Sequence, residues 1–518
     1  MAQRRHRAGA AQRARPTRGL RAGEDVRPMT ETVAGPHPLA PEWLRPLTDS
    51  AALEDKLFPA DAHRDDQGRL VLGGVDVETL AAQHGTPLYV ISEDDFRSRA
   101  RAFVEAFSEA FAPETDVDVF YAGKAFLSTH AARWAAEEGL CVDTASGGEL
   151  AVALAAEVEP ARIGLHGNNK SDAEIVRALK AGIGRIIADS LDELARIDQL
   201  ARSAGVTAPV MLRLTPGVHA STHEYIATAH EDQKFGLSLT PSSDADTDQE
   251  NPYAGSPAWS AVEHALAAEH IELRGLHCHI GSQIFEPEGF EVAAAKLIGL
   301  LGRVRARHGV ELPELDLGGG HGIAYTEADS PRHPRQIAQA LAGAVRTACD
   351  AEGIEVPRIS IEPGRAIVGP AGVTLYRVGV QKDVQVDGPS GETLSRRYVA
   401  VDGGMSDNAR GVLYDADYSA VLAGRKVTGN HVLSRIVGKH CESGDIVVRD
   451  VYLPTTTARD DLLAVPATGA YCHSLSSNYN LLARPAVVAV KDGASRVLIR
   501  RETEEQMLRR DTGFAAQD

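Results

Sequence analysis

From about residue 95 to 370, short apolar runs alternate with longer stretches rich in Ala, Leu and Glu. The short runs are "VDVFYAGK" (117–124), "CVDTAS" (141–146), "RIGLHGNN" (162–169), "RIIADS" (185–190), "PVMLRLTPG" (209–217), "LRGLHCHIGS" (273–282), "ELDLGGG" (314–320) and "RISIEPGR" (358–365). Their length and β-branched content predict strands. Between them "SGGELAVALAAEV", "SDAEIVRALKAG" and "SLDELARIDQLARSAG" predict helices, each opening on a serine near an acidic residue, as N-caps do. Strands separated by helices build a parallel sheet, and eight of them predict a closed (β/α)8 barrel of the TIM type. After 370 the period changes. "VTLYRVGVQKDV", "RRYVAVDGG", "DIVVRDVYLP", "LLAVPATGAY" and "PAVVAVKDGASRVLIRR" are β-rich, with "DGPSGE" and "KDGAS" as hairpin turns. They predict a mainly antiparallel domain. The early "GRLVLGGVDVETLAAQHGTPLYVI" (68–91) is expected to lend it strands.

The division expected is an Arg-rich disordered tail (1–48), a segment joining the β domain (49–92), the barrel (93–370) and the β domain (371–518). The 518 residues exceed one ordinary domain. Residues 1–28 lack the apolar stretch of a secretory signal and read as a disordered tail, or as sequence upstream of a start at Met29. "PSSDADTDQENPYAGSPAWS" (241–260) reads as an exposed polar insertion. A formal charge of -18 disfavours nucleic acid as partner. No apolar run approaches the ~20 residues of a membrane span. Five cysteines in so long a chain are no disulfide framework and point to a reducing, cytoplasmic setting.

A barrel carries its site at the C-terminal ends of its strands, and the unusual residues collect there. Lys124 ends the first strand. The sixth ends in "HCHIGS" with His277, His279 and Ser282, the seventh in "GGGHG" (318–322), the eighth in "EPGR" with Glu362, Gly364 and Arg365. The glycines either form a tight turn or let backbone N–H groups approach a phosphate. The histidines read as a metal site on alternate positions or as core residues, and no carboxylate cluster in the sequence supports a metal. Glu362 reads as a salt-bridge partner of Arg365 or as a buried carboxylate holding a protonated ring nitrogen. A lysine, a phosphate cradle, a flat histidine and a carboxylate together suit pyridoxal 5′-phosphate.

These motifs, with "YAGKA", "HGNNKS" (166–171), "KFGLS" (234–238), "DGGMSDNAR" (402–410) and "CESGD" (441–445), resemble the diaminopimelate decarboxylases, fold type III pyridoxal enzymes related to alanine racemase, over about residues 68–500. The resemblance implies decarboxylation of meso-2,6-diaminopimelate to L-lysine, the last step of lysine synthesis. It implies that Lys124 holds the cofactor and His279 stacks on its ring. Ser282, Gly318, Gly319 and Gly320 would bind phosphate, Gly364 would be among the cofactor-binding residues, Glu362 would pair with the ring nitrogen, and Arg365 would lie by phosphate and substrate. Tyr471 would reach the cofactor and substrate. Arg410, Tyr414 and Glu442 would bind the substrate's distal groups. Cys441 would come from the other subunit of a homodimer as the acid. Two departures stand out. His321 replaces the family's usual Leu, with altered cofactor contacts expected, and "LYDADY" (413–418) adds an acid expected to tune the distal pocket. Competing readings are a decarboxylase of ornithine, arginine or carboxynorspermidine, a racemase, a non-catalytic pyridoxal-binding protein and a metal-dependent barrel lyase.

Overall fold

The computed structural model describes residues 36–46, 51–218, 233–241 and 251–514. Eight parallel strands close a barrel: Val117–Ala122, Cys141–Thr144, Ile163–Leu165, Arg185–Ala188, Ala208–Thr215, Ile271–Cys278, Glu314–Asp316 and Arg358–Ile361. The fourth pairs with the fifth and the eighth with the first, so no edge is left open. All eight expected strands are present. Each stops before the polar residues that ended its apolar run, which become the loops of the site.

The helices start where local chemistry tells them to. Ser146, Ser171 and Ser190 each accept the backbone N–H three residues on, from Glu149, Glu174 and Glu193. At Ser171 the Glu174 carboxylate reaches back to the cap N–H, which completes a capping box. Inside the barrel, Arg185 lies flat on Phe120, 3.6 Å from its ring centre, and forms an ion pair with Asp316. Burial raises the Asp316 carboxyl to about 6.

The second sheet runs, edge to edge, Ile446–Pro454, His431–Val437, Thr393–Val401, Gly372–Asp387, Leu88–Ser92, Ala486–Lys491, Ala494–Ile499. The strand Gly372–Asp387 slips register between Val378 and Gln381. Its first half pairs with Leu88–Ser92 and Leu462–Pro466, its second half with Thr393–Val401. A bulge turns one long strand between two sets of neighbours. Of residues 68–91, Leu88–Ser92 enters this sheet, whereas Leu70–Leu72 and Val75–Asp76 build a separate three-stranded one with His63–Arg64. Two pairings, Leu88–Ser92 with Ala486–Lys491 and Thr393–Val401 with His431–Val437, are parallel. His431–Val437 escaped the sequence reading because Ser434 and Arg435 interrupt its apolar run.

Two expectations change. Residues 36–46, assigned to a disordered tail, dock on the β domain: Leu44 packs with Leu433 and Tyr452, and the His37 N–H donates to the Tyr452 hydroxyl at 2.8 Å. Residues 1–35 lie outside the described residues. The expected insertion likewise falls partly outside, at 242–250, but its end is ordered. Ser256 caps the helix Pro257–Ala267, which buries Ala258 and Trp259. Among the described residues no helix is long and apolar enough to cross a membrane.

Candidate active site

The first barrel strand ends at Ala122, and a single 3-10 turn, Gly123–Ala125, lifts Lys124 to the mouth of the barrel. There it lines a cavity of about 160 Å³ with Asp143, Glu149, His166, Arg213, Phe235, His279 and Glu362. With Lys124 they come from the ends of six different strands, from the segment after the fifth and, for Glu149, from the helix Gly147–Ala155. His279 lies on the wall, and its Nδ1 accepts the Gly319 N–H at 3.2 Å. Burial holds its pKa well below the ordinary value, so it presents a neutral ring.

The cavity floor is a cluster of buried acids and neutral imidazoles. His277 Nε2 lies 3.0 Å from Glu362 Oε1, and His166 Nε2 lies 3.4 Å from the same oxygen and 3.0 Å from Asp143 Oδ1. Burial lowers His166 to about 4 and His277 well below its usual value. Burial also lifts the Asp143 carboxyl to about 7, and burial followed by the Asp143 charge raises Glu362. Glu362 Oε1 and both Asp143 oxygens are buried without an aligned hydrogen bond among the described residues. These carboxylate oxygens therefore have no aligned donor among the described residues.

The glycine run threads between the ends of the sixth and eighth strands. Gly318 and Gly320 have φ of 70° and 117°, and a Cβ on either would collide with the carbonyl of Cys278 or Gly281. Beside this run, Arg365 Nη2 donates to Ser282 Oγ at 2.6 Å and Nη1 to the Tyr325 hydroxyl at 2.5 Å. Gly364 packs its backbone against Ala122 and Ala125 on the turn that holds Lys124. Tyr471, at φ 66°, ties to that turn as well, its N–H donating to Ala125 O at 2.7 Å. Its ring lies 4.6 Å from the Arg365 guanidinium carbon. Arg410, at the start of the short helix Arg410–Tyr414, is buried and donates to the Tyr418 hydroxyl at 2.8 Å. Among the described residues no carboxylate pairs with Arg365 or Arg410.

Lys124, His279, Ser282, Gly318, Gly319, Gly320, Glu362, Gly364, Arg365 and Tyr471 thus converge. Tyr414 does not: it is exposed at the far end of its helix, and Tyr418 meets Arg410 instead. Cys441 and Glu442 are exposed and outside this cavity. Their loop is held by Asp445, whose carboxylate accepts the N–H groups of Met405 (2.6 Å) and His440 (2.8 Å). His321 turns away from the glycine cradle into a box of Phe103, Phe107 and Phe290, so its expected effect on cofactor contacts is not seen. The extra acid of "LYDADY" also points elsewhere: Asp415 pairs with Arg449 on the surface.

A family model described as "Pyridoxal-dependent decarboxylase, pyridoxal binding domain" matches residues 93–369. The diaminopimelate decarboxylase of Mycobacterium bovis is 49% identical over 460 residues, 88% of this chain and 98% of that one. That of Bacillus subtilis is 44% identical over 453 residues, 88% and 97% of the two chains. The chain belongs to the diaminopimelate decarboxylases. A solved diaminopimelate decarboxylase from M. jannaschii, in complex with L-lysine, superposes with a TM-score of 0.78 at 30% identity and covers 88% of this chain and 98% of that one.

The cofactor of this family is pyridoxal 5′-phosphate, and the residues present fit it. The acid cluster at Glu362 and Asp143 would take a protonated ring nitrogen, the donor its buried oxygens lack. A phosphate would fit the backbone cradle at Gly318–Gly320, where a Cβ would block the approach. Lys124 lines the same cavity as Asp143 and Glu362. Donor atoms of His166, His277 and Glu362 also lie within 4.8 Å of one another, close enough to bridge a divalent ion. This group of two histidines and one carboxylate is not visible in the sequence, because its members come from the third, sixth and eighth strands and meet only on barrel closure.

Proposed function

We propose that this chain removes CO2 from meso-2,6-diaminopimelate and releases L-lysine, with pyridoxal 5′-phosphate held by the residues described above. Pyridoxal 5′-phosphate, when bound, supplies the sink for the electron pair that CO2 leaves behind. Lys124 would hold it through its amine, and Glu362, with His277 and His166 beside it, would keep a proton at the ring nitrogen. His279 presents its flat neutral ring to one face. The substrate's distal end carries a carboxylate and an ammonium group; Arg410 takes the first and Glu442 the second. Cys441 protonates the carbon that has lost CO2.

The observation that carries this reading is the pair of buried arginines, Arg365 and Arg410, without an acidic partner among the described residues. A buried cation needs a counter-ion, and here the ligand's anionic groups supply it. An ornithine or arginine decarboxylase has no second carboxylate to place there. Cys441 and Glu442 serve the partner's site in a head-to-tail homodimer. In support, exposed Leu413 and Tyr414 on one segment and Tyr479 and Leu481 on another offer apolar surface, and Cys441 N–H bonds to Asn480 Oδ1 at 3.0 Å beside the latter. All five cysteines are free, which suits the cytoplasm. The match over 93–369 supports taking 93–370 as the cofactor-binding domain.

The test supplies purified protein and cofactor with meso-diaminopimelate, L-ornithine, L-arginine or L-lysine, and measures CO2 and product. Lysine from diaminopimelate alone, abolished in Lys124→Ala, is expected. A diamine from ornithine would overturn the substrate assignment and leave the cofactor assignment standing.

A further inference from the structure

Arg365 and Arg410 are oriented without being neutralised. Tyr325 stands between them. Its hydroxyl accepts from Arg365 Nη1 at 2.5 Å, and its ring lies 4.4 Å from the Arg410 guanidinium carbon. Tyr418 accepts from Arg410 Nη1 at 2.8 Å and also meets the Tyr325 ring edge-on, centroids 5.1 Å apart at 74°, so Arg410 sits against two rings that touch each other. Arg365 likewise lies by the rings of Tyr325 and Tyr471. The cluster is firmly anchored. Tyr325 and Tyr418 are 5% and 1% exposed. The Asp329 carboxylate accepts the N–H groups of both Tyr325 and Thr326 at 2.9 Å. The Tyr418 hydroxyl lies 3.7 Å from Cys472 Sγ.

A carboxylate in either tyrosine's place would fix the guanidinium just as well. It would also cancel the charge and compete with an incoming anion. A phenol accepts the hydrogen bond and a ring face attracts the cation while both leave the net positive charge in place. We propose that Tyr325 and Tyr418 are positioning residues that hold Arg365 and Arg410 as an uncompensated cationic pair, and that this pair makes the site select ligands carrying a second carboxylate. The proposal rests on the reading of Arg410 as the group that meets that carboxylate.

Heptanedioate and heptanoate share a carbon chain and differ by one carboxylate, and neither can be decarboxylated as an amino acid. Their competitive inhibition constants are measured on the holoenzyme against meso-diaminopimelate, with cofactor absorbance recorded for each variant. The wild type is expected to prefer heptanedioate, and Tyr325→Phe and Tyr418→Phe are each expected to lower that preference about tenfold, the effect of one hydrogen bond to a charged group. KM for diaminopimelate should rise while kcat changes far less. A preference that survives in both variants overturns the proposal. So does loss of cofactor absorbance in both, because only the hydroxyls are removed and these are assigned to the arginines. Arg410→Gln separates the two levels. If it leaves the preference intact, the reading of Arg410 fails; if it abolishes the preference while both tyrosine variants keep it, only the role of the tyrosines fails.

Discussion

At the scale of single residues, the chemistry sorts by whether a side chain's partners are near it in sequence. Lys124, His279, Glu362 and Arg365 were legible because each stands at the polar end of an apolar run, where a barrel builds its site. Asp143, His166, Tyr325 and Tyr418 were not. Asp143 and His166 lay in quoted strand runs, yet what they do depends on the second, third and eighth strands meeting. A polar side chain at the end of an otherwise apolar strand was the signal that could have found them. His321 shows the opposite case, a histidine beside the glycine cradle that serves packing. Both its ring nitrogens are buried without a hydrogen-bond partner among the described residues, and burial lowers its pKa to about 4. The unfolded chain binds a proton near the ordinary 6.5, so between these values the unfolded state takes up more protons. Stability is therefore lost as pH falls below 6.5, by about 2 kcal/mol at pH 5 from this group alone. His321→Leu should raise the thermal midpoint at pH 7.5, since it removes an unsatisfied buried ring, and raise it further at pH 5. An equal or smaller gain at pH 5 would refute the assignment.

At the scale of elements, the strands and capped helices were legible because local signals and the tertiary fold agree. The missed strand His431–Val437 and the missed helix Arg410–Tyr414 are short or interrupted, and packing rather than periodicity keeps them in place. The loop after the third strand carries His166, and a single buried side chain governs it. Lys170 Nζ donates to Gly167 O (2.7 Å), Ile187 O (2.6 Å) and Glu193 Oε2 (2.9 Å). It thereby ties the third strand's loop to the fourth strand and to the helix that follows. Lys170→Met leaves Glu193 buried and unpaired, and should cost about 3–5 kcal/mol in denaturant unfolding. Glu193→Leu in that background should restore most of it, because the uncompensated charge goes too. Additive losses in the double mutant would show that the two do not act as a pair. If the tie also positions His166, the rescued double mutant should still bind cofactor more weakly than the wild type, read from the absorbance titration.

At the scale of the whole molecule, the candidate site is split. Lys124 and Glu362 line one cavity and Arg410 is joined to Arg365 through Tyr325, while Cys441 and Glu442 sit exposed outside that cavity in the same chain. Resemblance named these residues and placed Cys441 on the other subunit, but the bare residues could not show it, because that depends on where the Asp445-pinned loop projects. The head-to-tail dimer proposed above would resolve the split, each chain lending its Cys441 loop to the other's cavity. Lys124→Ala and Cys441→Ala should each be inactive as homodimers. Mixed, unfolded and refolded together, they should regain activity: a heterodimer has one cavity with both defects and one with neither. Random pairing makes half the dimers heterodimers with one intact site of two, so activity should return to about a quarter of wild type. The recovered activity should also fall on dilution below the dimer's dissociation constant. If Cys441 acted within its own chain, the mixture would stay inactive at every ratio and concentration, since every cavity would then carry one defect or the other.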